Sequence, residues 1–590
     1  MATTSSSSNG TLLTLRVLLF CALAAAATTT LLPLAASPCS HSLSRTILSA
    51  TGLDPFLLSC AGDDASASPS LSSHGDDDVD GANHETGKAS RPIVTDQLCI
   101  KGELPPDALP PFQCCPPASA SEPINFTFPD PGEPLRTRRP VHVVGDEHMA
   151  KYARAVALMK SLPVSDPRSF YQQANVHCAY CTGAHRQAGR PDMGVQIHFS
   201  WLFFPFHRAY LYFFERIAAK LLGDPGFALP IWSWDVPEGM GIPEVFADVA
   251  SPLYDPIREP SHAPPKVADL DFFLQGEKNL TDQEVILHNL RVMYRQMVSG
   301  ATLPSLFLGQ PYRAGDAEMP GPGTVEWAPH NTMHTWTGDS SRPNAENMGV
   351  YYSAGRDPLF YPHHGNIDRL WETWRNDIAV GRRRRADFDD PDWLDSSFLL
   401  YDEEARLVRI TVRDVLDADK LRYTYGDVAV PWLTARPHIT PGVNPKPKGG
   451  LPLESVRFPV SLDAAATVEV RRPPRAQQLR RSLEEKAQEE EVLVIEGIEA
   501  DAGDFVRFDV YVNAREYYKV PVGGREMAGT FATLKHPGKE GMVVRTSMRV
   551  ALSEVLEDLG AQGDESVTVT LVPVRGKVRI GGLKIVYMEE

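Results

Sequence analysis

Between residues 436 and 451 the chain is dominated by Pro and Gly, and the hydrophobic pattern differs on its two sides. Such a stretch cannot continue a helix or a central strand, so it predicts an exposed linker between two separately built bodies. On the C-terminal side, apolar and polar residues alternate over 455–460, 466–470, 492–495, 506–510, 566–572 and 583–587. Short alternating runs separated by turn residues predict an antiparallel β-sandwich over 452–590. The charged stretch 475–491 reads as a surface loop inserted between strands. On the N-terminal side, residues 91–435 carry most of the aromatics and 12 of the 17 histidines. Fifty prolines in the chain predict long irregular connections between elements.

Composition narrows the class. The formal net charge is −17, from 58 Lys and Arg against 75 Asp and Glu, which excludes a nucleic-acid binder. Residues 1–90 read as a targeting peptide followed by a disordered pro-segment. A Ser/Thr-rich start with Arg16 leads into an apolar run at 17–27 and then small residues, the pattern of a secretory signal. The alternative is a plastid transit peptide leading to the thylakoid lumen, because Ser and Thr abound and the first acidic residue is Asp54. Thr28–Thr30 interrupts the run too early for a membrane span, so no stable span is expected in the mature form.

The chemistry concentrates in two histidine groups. The first is His177, His198 and His207. His198 and His207 are nine residues apart, on opposite sides of any one straight helix, so His198 precedes the aromatic helix that contains His207, and Pro205 marks its first turn. The second group is His330 and His334, which share a face at i, i+4, and then His364, whose neighbour is His363. An isolated His-x-x-x-His is common without metal. Three imidazoles plus three, with no Cys or carboxylate at ligand spacing in the second group, suit copper, zinc or iron. Two such sets in one domain favour a paired copper site that binds dioxygen between the metals. Five cysteines remain after residue 90: Cys99, Cys114, Cys115, Cys178 and Cys181. An odd number in an oxidising compartment asks for one special thiol, and the neighbours Cys114 and Cys115 want separate partners.

From about Cys99 onward the sequence resembles the plant polyphenol oxidases (catechol oxidase and tyrosinase), which are type-3 copper enzymes. The resemblance is carried by the two histidine groups, by Asp392-Trp-Leu394 and Tyr423-Thr-Tyr425, and by Arg507-Phe-Asp-Val510, which has Arg where the family has Lys. It implies two copper ions: copper A on His177, His198 and His207, and copper B on His330, His334 and His364. His364 is chosen over His363 because the family's third ligand stands four residues before an Asp, here Asp368. It further implies a thioether between Cys181 and His198, and disulfides Cys99–Cys115 and Cys114–Cys178.

The activity implied is oxidation of small o-diphenols to o-quinones, with dioxygen as co-substrate reduced to water, by a latent proenzyme that is a monomer or weak oligomer. Glu326 matches a glutamate that holds a water near the metals. Asn331 occupies a position linked with deprotonating monophenols, and Tyr351 stands where the family often has a Phe gate. The implied fold is a mainly α copper domain over 91–435, a four-helix-bundle core with long loops, followed by the linker and the β-sandwich, which covers the copper entrance. A dioxygen carrier of the haemocyanin type and a one-metal zinc or iron hydrolase are the rival readings.

Overall fold

The computed structural model describes residues 91–589 except 103, 110–113, 274–279, 379–384, 444–455, 475–488 and 537–540. The targeting and pro-segment expected over 1–90 lies outside the described residues.

Among the described residues, six helices longer than a single turn build the first body: α1 (Asp146–Ser161), α2 (Phe170–Cys181), α3 (Phe203–Leu222), α4 (Asp282–Tyr294), α5 (Thr332–Thr337) and α6 (Phe360–Asn376). Local chemistry fixes their ends. The Ser169 side chain accepts the Gln172 N–H at the start of α2, and Thr281 with Glu284 forms a capping box on α4. Pro205 sits in the first turn of α3, where no intrahelical N–H is needed. Gly223, at φ 67°, closes α3 in the left-handed region that a β-carbon disfavours. Between its ends α3 is buried almost all round, with Trp, Tyr and Phe side chains of neighbouring segments packed against it. It is the central helix of the body.

Such a helix buries charge only where charge is matched. Glu215 of α3 meets Arg136 at 3.1 Å and Arg138 at 2.8 Å. Arg208 of α3 binds Asp368 of α6 at 2.5 Å, and Arg138 reaches the same carboxylate at 3.2 Å. Tyr423 donates its hydroxyl to Asp368 at 2.7 Å, and Tyr425 donates to it as well. Arg136–Arg138 and Tyr423–Tyr425 are themselves paired as parallel strands. Burial alone would raise the Asp368 carboxyl, but Arg208 and Arg138 outweigh it and hold the group below its ordinary value.

The second body consists of two antiparallel sheets. One has the order Ala466–Arg471, Ser566–Arg575, Arg507–Val512, Met527–Ala532. In the other, the long strand Glu489–Asp501 pairs with Val543–Ala551, Val578–Ile580 and Gly582–Glu589, and Val460–Ser461 joins at the edge. Leu493, Ile495 and Ile498 of one sheet share an apolar core with Phe508, Val510, Val567 and Val569 of the other.

Three strands lie outside the alternating runs expected from the sequence: Met527–Ala532, Val543–Ala551 and Val578–Ile580. The first reads Met-Ala-Gly-Thr-Phe-Ala and is buried at every position, so it has no polar face to alternate. Of the expected strand at 455–460, Ser455 lies outside the described residues, and the described strand runs from Val460 to Ser461. The charged stretch 475–491 also needs correction at its end. Glu489–Glu491 open a strand, and Glu491 is buried in an ion pair with Arg472 at 2.6 Å. Of the linker, residues 436–443 are described, and they are fastened to the β-body. Arg436 pairs with Asp558 at 2.6 Å, and Thr440 donates its backbone and hydroxyl protons to Glu526. Among the described residues, no helix is long and apolar enough to cross a membrane.

The Asp368 cluster makes a stability prediction. Asp368→Asn leaves two buried guanidinium groups short of their counter-charge, a loss of about 3–5 kcal/mol. The folded-state carboxyl lies below its unfolded value of about 4, so its contribution is complete above that pH and is lost as pH falls through the folded value. Denaturant unfolding should therefore show a large deficit for the variant near neutral pH, narrowing in acid. Equal midpoints at neutral pH would remove Asp368 from the account of stability.

Candidate metal centre

Four helices, one loop and one irregular turn deliver the histidines. His177 lies on α2, His207 on the second turn of α3, and His198 on the loop before α3. His330 enters on the irregular turn Glu326–Asn331 that leads into α5, His334 is on α5, and His363 and His364 are on the first turns of α6. All are buried to within 1% of full enclosure.

In the first group the ring centroids stand 5.4–5.5 Å apart. In the second, His330 is 4.6 Å from His334 and 5.0 Å from His364. The groups adjoin. The His207 and His364 rings stack at 4.1 Å, and His198 stacks over His330 at 5.8 Å.

Hydrogen bonding assigns the ring protons. His177 Nδ1 faces the Tyr351 carbonyl at 3.0 Å, His207 Nδ1 that of Phe203 at 2.8 Å, and His334 Nδ1 that of Met348 at 2.8 Å. His330 Nδ1 is 3.0 Å from Asn331 Oδ1. A carbonyl can only accept, so these Nδ1 atoms carry the protons and each Nε2 presents a lone pair. The Nε2 atoms of His177, His198, His207 and His330 are buried with no hydrogen-bond partner. His334 Nε2 faces His364 Nε2 at 3.3 Å. Burial pushes every one of these imidazoles down, His207 to about 3 and His334 to about 4, so all are neutral near pH 7. Neutral rings with converging lone pairs fit a metal-binding set, and in His177, His207, His330 and His334 the Nδ1–H is tied to an oxygen, whereas His364 Nδ1 has no partner.

His363 differs. Its Nδ1 accepts the Trp234 indole N–H at 3.0 Å, which puts the ring proton on Nε2 and leaves no free lone pair. No sequence pattern pointed to Trp234 in this role. A further group of possible ligands, Asp269, Asp271 and His288, is an ion-pair site instead. Asp271 is held by His288 at 2.9 Å and by Arg295 at 3.3 Å.

The remaining candidates border the histidines. Glu326 is fully buried; its Oε1 accepts the Phe199 N–H at 2.6 Å, while Oε2 has no partner. Burial pushes this carboxyl up. The Tyr351 ring lies 4.3 Å from His198, and its hydroxyl donates to Asn331 Oδ1 at 3.0 Å. Cys99 is bonded to Cys115 and Cys114 to Cys178, which ties the N-terminal segment to α2 beside His177. Cys181 is buried and outside any disulfide.

The chain matches the common central domain of tyrosinase over residues 167–377, the polyphenol oxidase middle domain over 387–438, and the chloroplastic polyphenol oxidase C-terminal domain over 458–587. It is 48% identical to a chloroplastic polyphenol oxidase of Vitis vinifera over 499 residues, 82% of this chain and 80% of that one. The chain belongs to the plant polyphenol oxidase family. Catechol oxidase B, chloroplastic, of Solanum tuberosum is 41% identical over 79% of this chain and 78% of its own length. The structure of latent apple tyrosinase superposes with a TM-score of 0.74 at 47% identity, covering 79% of this chain and all of that one. Family membership makes the chain an oxidoreductase, and its two histidine groups are suited to copper.

Both groups are needed for a metal pair. His207→Ala should reduce bound copper from two ions per chain to one, by elemental analysis of the purified protein. Retention of two would exclude His207 as a ligand.

Proposed function

We propose that the protein oxidises o-diphenols to o-quinones, two diphenols being consumed for each dioxygen reduced to two waters. The observation that carries this reading is the contact of two sets of buried, neutral imidazoles, with the rings of His207 and His364 stacked at 4.1 Å between them. His177, His198 and His207 would hold one copper, and His330, His334 and His364 the other. A copper pair so held supplies one electron change per metal, matching the two electrons a diphenol gives up.

This chain's own groups do the rest. The carbonyls of Tyr351, Phe203 and Met348 keep three rings in one tautomer and one orientation. A thioether from Cys181 to His198 would hold a fourth ring, which otherwise has only Gln196 Oε1 at 3.3 Å. Phe203 and Phe360, at 4.7 Å from His330 and 4.2 Å from His364, exclude water from the rings. In its ionised form Glu326, with Oε2 buried and unpartnered, is an acceptor for a phenolic proton passed directly or through a water, and the upward push of burial strengthens it as a base. That capacity extends the reading to monophenol hydroxylation.

The β-domain is proposed as a cover, with the catalytic domain taken as 91–435, the linker as 436–451 and the cover as 452–590. Supporting contacts are local to the histidines. The Phe531 ring lies 4.4 Å from Trp327, and His536 lies 4.6 Å from Tyr351. Val350 and Lys535 form a parallel bridge, and the Ala532 carbonyl accepts from Asn331 Nδ2 at 3.0 Å. His536, the only histidine after residue 452, lies with its ring tilted against Tyr351 at the site's edge. The grapevine and potato relatives are both named chloroplastic, which supports the plastid destination; nothing in the comparisons supports the secretory route.

Two experiments test this. Oxygen uptake with a catechol panel should show one dioxygen per two diphenols in the copper-loaded protein; no turnover would leave the carrier reading. Cutting within 436–451 should raise diphenol turnover at constant copper content. Unchanged turnover, or unfolding of the helical domain, would make the β-domain a structural partner instead.

A further inference from the structure

Asn331 is wholly buried next to His330, and every polar atom of its side chain is engaged. Its Nδ2 donates to the Ala532 carbonyl at 3.0 Å. Because a backbone carbonyl cannot donate, this contact decides which end of the amide is nitrogen. Oδ1 must then face the other way, where it receives two donors: His330 Nδ1 at 3.0 Å and the Tyr351 hydroxyl at 3.0 Å. An amide oxygen has two lone pairs, so both are occupied. No acceptor remains on Asn331 for a phenol or a water.

We propose that Tyr351 is a positioning residue that biases the site towards diphenols, by closing the second acceptor position of Asn331 and leaving Glu326 as the open acceptor. This inference rests on the oxidase reading above. A diphenol brings a neighbouring hydroxyl that stabilises the oxygen losing its proton. A monophenol has no such neighbour and depends wholly on acceptors that the protein supplies. Removing one of two such acceptors therefore penalises monophenols more. The bias is independent of the cover. Displacing the β-domain frees Asn331 Nδ2, a donor, whereas Tyr351 and His330 both belong to the helical domain and keep Oδ1 closed.

The test is Tyr351→Phe in the full-length, copper-loaded protein. The variant keeps the ring that lies 4.3 Å from His198 and removes only the hydroxyl. The ratio of monophenol to diphenol kcat/KM should rise by about two- to tenfold, the range set by one neutral hydrogen bond. The same substitution on an Asn331→Leu background should leave the ratio unmoved, since the partner is gone. In metal-free protein, Tyr351→Phe should lower the melting temperature in the parent background and have no effect beside Asn331→Leu. An unchanged or falling ratio, including absence of monophenol turnover in both proteins, overturns the proposal. Equal effects in the two backgrounds also overturn it, as does loss of copper from Tyr351→Phe, which would assign the hydroxyl to holding the site. Failure of the parent protein to oxidise any diphenol is a different result, and it refutes the oxidase reading itself.

Discussion

The site depends on a charge cluster that holds no metal ligand. Asp368 lies one helical turn beyond His364 on α6, and Arg208 directly follows His207 on α3. Their ion pair at 2.5 Å therefore fixes the register of the two helices, and the stacking of His207 on His364 at 4.1 Å follows. Arg138 and the hydroxyls of Tyr423 and Tyr425 complete the shell around the carboxylate. Buried charge is a poor source of net stability but a strong penalty against any other alignment. A slip by one residue on either helix would strand a guanidinium in a core of Trp and Phe. This is a physical reason for a ligand four residues before an aspartate.

Electrostatics within the centre has the opposite character. Around the histidines the structure provides carbonyl oxygens and aromatic edges, and the Glu326 carboxyl, which accepts the N–H of Phe199 next to His198, is itself pushed up by burial. Desolvation makes protonated imidazole unfavourable, and carbonyl acceptors then decide which nitrogen keeps its one proton. Lone pairs on Nε2 are thus prepared before any metal arrives. His363 shows how specific this is. It stands beside His364 in sequence and in space, but an indole N–H on its Nδ1 reverses the tautomer.

The β-domain contributes to the same region without supplying a ligand set. Its strand Met527–Ala532 brings Phe531 against Trp327 and a carbonyl to Asn331, and His536 follows four residues later. A domain attached in this way pins one of the side chains that surround the histidines. The described part of the linker is tied down at Arg436 and Thr440, so the β-domain is anchored at both the site and the tether.

Much of this was legible in one dimension. The histidine spacings, Pro205, the Pro/Gly stretch and the alternating runs after it are local signals, and helix starts, strand pleats and i, i+4 faces are local consequences. The sequence by itself determined that a helical, histidine-rich body precedes a β-body, and that two imidazole sets exist. It could not reveal the strand at 527–532, which is buried on both faces and so lacks alternation. Nor could it assign protons within His363-His364, because the deciding donor, Trp234, is 129 residues away. The role of Asn331 was likewise open, since its three partners, His330, Tyr351 and Ala532, come from two domains. Residue types decide which chemistry is available. Which lone pair is free and which is taken depends on neighbours that only folding brings within hydrogen-bond distance, and that the tertiary structure alone decided.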